Sequence, residues 1–147
     1  MFKRVAVSAL FAGVLLASGC ASVPMAPQAE DVALKTFAPP PAGKAGLYIY
    51  RNSAMGQALK KNVYVDGEFL GETANKVYFY RVLEPGKHVV STESEFSDNA
   101  LNFEAEADQN YYTRQYIKLG VFVGGAGIEM VSEEEGQKNV LQSRLAK

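Results

Sequence analysis

The sequence predicts a mainly β domain: an antiparallel β-sandwich or open barrel of about seven or eight strands with one C-terminal helix. Three observations point there. From Gly46 onward, short runs of β-branched and aromatic residues follow a period of two. Turn signals recur about every ten residues, among them Asp66-Gly67 and Pro85-Gly86. Only after Val131 does the pattern become helical, opening on Ser132-Glu133-Glu134-Glu135.

The elements follow in order. Leu47-Tyr48-Ile49-Tyr50-Arg51 reads as the first strand, and 52–61 as a loop holding Met55 and Gly56. Val63-Tyr64-Val65 and Glu68-Phe69-Leu70-Gly71-Glu72 flank Asp66-Gly67 as a hairpin, because both turn positions require positive φ. Val77–Val82 is the fourth strand. Glu84-Pro85-Gly86 then turns the chain, proline pre-setting φ and glycine supplying the left-handed position. Lys87–Ser94 is the fifth strand.

Ala100–Ala107 is the sixth, with Leu101, Phe103, Ala105 and Ala107 on one face and Asn102, Glu104 and Glu106 on the other. Such alternation marks one buried and one wet face. Asp108-Gln109-Asn110 turns into Tyr111–Leu119. A glycine-rich stretch, 120–127, precedes a short last strand, Ile128–Val131. The closing helix is expected to run to about Leu145, interrupted by Gly136 at a cost of about 1 kcal/mol relative to alanine.

The chain before Gly46 is different. Lys3 and Arg4 precede an uncharged run from Val5 to Ala17, the n-region and h-region of an export signal. That run is short of the roughly 20 apolar residues a spanning helix needs. Leu16-Ala17-Ser18-Gly19-Cys20 closely resembles the lipobox of bacterial lipoproteins. The resemblance implies cleavage after residue 19, diacylglycerol on the Cys20 thiol and acylation of its freed amine. Cys20 is the chain's only cysteine, so no disulfide partner competes for it. One acyl chain anchors marginally, and two or three hold firmly. In such lipoproteins an aspartate after the cysteine marks inner-membrane retention. Ala21-Ser22 stands here, which favours the outer membrane, facing the periplasm.

Residues 20–45 then form a lipidated cysteine and a proline-rich tether, with five of the six prolines. Ala29–Lys35 has room for two turns of helix. The alternative is that Val32, Leu34 and Phe37 dock this stretch on the domain, residues 46–147. The formal charge of the whole chain is −1, and loss of Lys3 and Arg4 makes the remainder more negative. That balance argues against a nucleic-acid partner.

Two further resemblances concern the domain. Val63–Thr73 followed by Leu83–Val90 has a strand, Asp-Gly, a second glycine and a Pro-Gly turn, and resembles the PEGA-type β-sandwich repeat, a small surface module. Phe37-Ala38-Pro39-Pro40, Gly43–Arg51, the Asp66-Gly67 hairpin, Tyr111-Tyr112 and the late Glu-rich helix resemble a family of short bacterial lipoproteins known as a domain of unknown function. That resemblance implies fold and location and carries over no catalytic residues.

Chemistry-bearing residues are sparse. His88 is the only histidine, and no Gly-x-Ser-x-Gly elbow accompanies it. Glu133–Glu135 suits a helix cap better than a cation site, and Glu104 and Glu106 suit a wet strand face. The 120–127 stretch lacks the lysine and hydroxyl of a phosphate loop. No cofactor, metal or catalytic residue is expected, and the chain is read as a non-enzyme.

The tyrosines remain. Tyr48 with Tyr50, Tyr78 with Tyr80, and Tyr112 with Tyr116 each share a strand face, and Arg114 and Lys118 are in phase with the last pair. Aligned on one sheet, Tyr48, Tyr50, Tyr78, Tyr80, Tyr112, Arg114 and Tyr116 would make an aromatic surface for an envelope protein or a glycan. The competing reading is ordinary core packing. A structural accessory of an envelope complex is the alternative role, and an enzyme on envelope substrates the weakest.

Overall fold

The computed structural model describes residues 22–93, 99–119 and 125–147. Two sheets face each other. One holds β1 (Ala45–Arg51), β4 (Val77–Leu83), β7 (Asn110–Lys118), β8 (Gly125–Val131) and the two-residue β9 (Arg144–Leu145), in the order β8-β7-β1-β4-β9. The other holds β2 (Lys61–Val65), β3 (Glu68–Thr73), β5 (Gly86–Thr92) and β6 (Asn99–Ala105), in the order β3-β2-β5-β6. The helices are α1 (Gln28–Leu34) and α2 (Glu133–Leu141). The fold is thus a mainly β sandwich with a C-terminal helix.

Local chemistry explains most boundaries. Asp66 and Gly67 both take positive φ, 51° and 79°, as their two-residue hairpin requires. Ser132 caps α2, its hydroxyl accepting from the Glu135 backbone N–H. Leu47 and Ile49 of β1 point between the sheets and meet Val63, Val65, Leu83 and Val90 in a dry core. Burying one such side chain contributes about 1.5–3 kcal/mol.

Several expectations need correction. The five-stranded sheet is not purely antiparallel: β1 pairs parallel with β7, and β4 parallel with β9. Strand patterning fixes the face of a residue, not the direction of its neighbour. The closing helix ends at Leu141, not near Leu145. Beyond it Arg144 donates its backbone N–H to Lys76 and Ala146 donates to Tyr78, so the tail gains strand partners and buries Leu145. Ala107 is exposed, since β6 ends at Ala105.

The proline-rich stretch is docked from Val23 onward. Met25 bridges Ala146, Phe37 packs against Tyr48 and Tyr112, and Lys35 Nζ donates to the Ser143 carbonyl at 2.6 Å. Asp31 of α1 accepts from Tyr78 Oη at 2.8 Å and from the Leu145 backbone N–H at 3.1 Å. Val32, expected among the docking residues, instead faces solvent.

Candidate functional site

The tyrosine-bearing faces do align. Tyr48 of β1 lies opposite Tyr80 of β4 and Tyr112 of β7, while Tyr50 lies opposite Tyr78 and Arg114. The rings of Tyr48 and Tyr112 stack, with centroids 5.0 Å apart and planes 11° from parallel. This is the outer face of the five-stranded sheet.

That face is covered. Tyr48, Tyr50, Tyr78 and Tyr112 are at most 1% exposed, and they pack with Val140, Leu145, Leu34 and Phe37. The aromatic face is therefore a second core beneath α1, α2 and the N-terminal segment. Of the two readings of these tyrosines, core packing holds at these four positions and a solvent-open platform does not, because two helices seat on the face. Burial pushes the phenols up: the Tyr48 and Tyr78 hydroxyls lie well above the ordinary tyrosine range, and Tyr50 is raised to about 12. For Tyr50 desolvation is the main cause, with the nearby Glu135 charge adding to it. Burial also raises Tyr80, which is only half-buried. The buried Tyr50 hydroxyl faces the Glu135 carboxylate but makes no well-aligned hydrogen bond among the described residues.

Tyr116 and Arg114 form the part left open. Tyr116 is half-buried, and the Arg114 guanidinium and Lys118 ammonium flank its ring at 5.6 and 5.7 Å from the centroid. Tyr116 lies opposite Gly127 on β8. A β-carbon at Gly127 would collide with the tyrosine's outer ring atoms, so glycine is what lets the ring lie across the strand. Arg114 also pairs with Glu129 at 2.5 Å and with Glu135 at 4.0 Å, and its side chain is 40% exposed.

His88 has a carboxylate beside it. Its Nδ1 is 2.6 Å from Asp66 Oδ2, and its Nε2 is 2.7 Å from the Glu84 carbonyl oxygen. Both partners accept, so the ring satisfies both only as the imidazolium, donating from each nitrogen. Burial opposes that charge, yet the Asp66 hydrogen bond and the Glu84 carbonyl outweigh it and raise the His88 pKa. No nitrogen is left free while both bonds hold. The neighbouring cleft, about 250 Å³, is lined by Val65, Arg81 and Glu84 among others and brings no hydroxyl or thiol to the ring. His88 locks the Asp66-Gly67 hairpin to the turn before β5.

Arg51 is a side chain that the sequence pattern does not single out. It is fully buried, and no carboxylate pairs with it among the described residues. Its guanidinium instead donates to the backbone carbonyls of Leu59 at 2.7 Å and Gly56 at 2.5 Å, pinning the loop before β2. Desolvation lowers its pKa. The available signal was its phase: Arg51 follows Leu47 and Ile49 on the inward face. A polar chain continues nearby, where Gln115 Nε2 donates to Thr92 Oγ1 at 2.7 Å and Gln115 also meets Thr73.

Other sequence candidates fall as follows. Cys20 and the leader, 1–19, lie outside the described residues, as do residues 120–124 of the glycine-rich stretch; Gly125–Gly127 join β8. Glu133–Glu135 form the first turn of α2, and Glu104 and Glu106 are exposed. Among the described residues no group of three or more histidine, cysteine or acidic side chains is placed to hold a metal ion. No helix among them is long and apolar enough to cross a membrane.

Comparison with known proteins adds two likenesses. Residues 41–126 match the family described as Protein of unknown function (DUF2846). Over 145 residues the chain is 50% identical to an uncharacterized protein of Haemophilus influenzae, covering 98% of this chain and 86% of that protein. No solved structure matches.

Proposed function

We propose a function on one premise: the chain belongs to DUF2846, a family described as proteins of unknown function. It is a bacterial envelope lipoprotein, anchored by lipid on Cys20 and facing the periplasm from the outer membrane. Its sandwich is a non-enzymatic binding module for a protein or a cell-wall polymer. The leader, the Leu16–Cys20 lipobox and the Ala21-Ser22 that follows support the anchor and its location. The PEGA-like segment, which spans β2 to β5, supports a surface module.

The observation that carries the binding reading is the open corner at Tyr116. Aromatic and arginine side chains dominate binding hot spots because they join large apolar area to directional polar contacts. Tyr116 lies half-buried between Arg114 and Lys118. Its ring is held in place by Gly127 below and cations beside, so little side-chain entropy remains to be lost on binding.

The test is photocrosslinking in intact cells, with a photoreactive residue at position 116 and a control at the exposed Lys60. A discrete protein or glycan adduct at 116, absent at 60, is expected. Equal or absent adducts at both positions, with the chain correctly localised, would remove this corner as a binding site.

A further inference from the structure

We infer that the domain stands directly on the lipid surface, seated by the seam between β9 and β3, with no free spacer beneath it. This rests on the Cys20 anchor proposed above.

The N-terminal segment is built into the fold. Met25 forms an antiparallel bridge with Ala146. Ala26 donates its backbone N–H to Leu145 at 3.0 Å, and Lys147 donates to the Pro24 carbonyl at 3.0 Å. Val23 and Met25 pack with Leu70 of β3 against Ala74, Val77, Phe79 and Ala146. The segment thus lies as a short extra strand beside β9 and closes the gap to β3. There Gly71 sits so close to Phe79 that a β-carbon would come within 2.7 Å of the ring.

Only Ala21 and Ser22 separate Val23 from Cys20. Three Cα steps of 3.8 Å span at most about 11 Å. The headgroup layer on each side of a bilayer is about 5–8 Å deep. An acylated Cys20 therefore holds Val23 within about 11 Å of the lipidated residue, at most about two headgroup layers. A free tether of residues 20–45 would have let the domain float roughly 90 Å away.

The occupant of the seam is the headgroup layer itself. Phe69, next to Leu70 on β3, is 58% exposed and packs edge-on against Tyr64, an apolar ring open to the headgroup layer at this edge. Seating this edge places β7 and β8 at the far side of the sheet. Four strand spacings from β9 to β8 amount to about 19 Å. The Tyr116 corner is then on the side remote from the membrane.

The test uses the full chain as isolated from bacterial membranes, returned to phosphatidylethanolamine and phosphatidylglycerol vesicles that contain a headgroup spin-labelled lipid. A fluorophore is attached to a single new cysteine, Phe69→Cys or, at the far edge, Met130→Cys. The acylated Cys20 thiol does not compete for label. The expected result is that both variants float with the vesicles and that label at 69, beside the seated edge, is quenched at least about twofold more than label at 130, on the strand four spacings from that edge. Inserting a long glycine–serine spacer between Ser22 and Val23 removes the difference. Flotation with equal quenching at both positions overturns the seat and leaves the anchor standing. Failure of both variants to float overturns the anchor and the seat with it.

Discussion

Gly136 of α2 lies so close beneath Tyr112 of β7 that a β-carbon there would overlap Cβ and Cγ of the tyrosine. The glycine that interrupts the helix pattern is therefore the contact that seats α2 on the aromatic face. Gly136→Ala gains about 1 kcal/mol of helix propensity. It also forces α2 off a buried tyrosine, and overpacking of that kind costs about 1–3 kcal/mol. The expected net result is a lower urea midpoint. A higher midpoint would show that α2 is free to shift.

Arg51 replaced by methionine leaves the Gly56 and Leu59 carbonyls without their donor. Loss of the donor for two half-buried carbonyls costs about 1–3 kcal/mol, offset in part because a desolvated charge is also removed. The expected signature is local: faster amide exchange across 53–60, with β1 and β4 protected. Unchanged exchange there would mean that Arg51 does not hold the loop.

His88 and Asp66 give the hairpin a pH dependence. His88 is raised above its ordinary value, so its contribution is complete below about pH 6.5 and is lost as pH rises through the folded pKa. Burial resists the Asp66 charge, but the His88 and Val89 hydrogen bonds prevail and its pKa is lowered. Its contribution is therefore present above about pH 4 and lost as pH falls through the folded value. Stability from this pair peaks between those limits. Asp66→Asn keeps a residue that tolerates the turn and removes the charge. In thermal melts from pH 5 to pH 9 the parent is expected to lose stability through His88 titration, and the variant to show a flatter profile.

How far all this is legible in the sequence differs by element. The period of two and the Asp66-Gly67 and Pro85-Gly86 turns are local, and the corresponding strands form. The tyrosine alignment follows from phase alone. What covers the tyrosines does not, because Phe37, Leu34 and Val140 come from segments distant in sequence. Prolines 24 and 27 suggest an extended tether, but their φ preference suits equally a segment laid along β9. The phase of Arg51 puts it on the inward face, but its acceptors, the Gly56 and Leu59 carbonyls, belong to a loop whose path no local pattern fixes.

The aromatic core has its own alkaline behaviour. Burial raises Tyr48, Tyr50 and Tyr78, with Tyr50 reaching about 12. A raised phenol favours the folded state fully below its unfolded pKa near 10, and that contribution is lost as pH climbs to the folded value. Spectrophotometric titration is expected to show Tyr48, Tyr50 and Tyr78 ionising only as the fold opens. Smooth titration of all eight in the folded protein would contradict the covered face.

The most direct measurement is intact mass spectrometry of the chain purified from bacterial membranes. The expected species begins at Cys20 and carries the mass of a diacylglycerol and an N-linked acyl chain. Substitution Cys20→Ala is expected to leave an uncleaved, unacylated precursor. A chain isolated with residues 1–19 intact, or cleaved but free of lipid, would contradict the envelope lipoprotein reading.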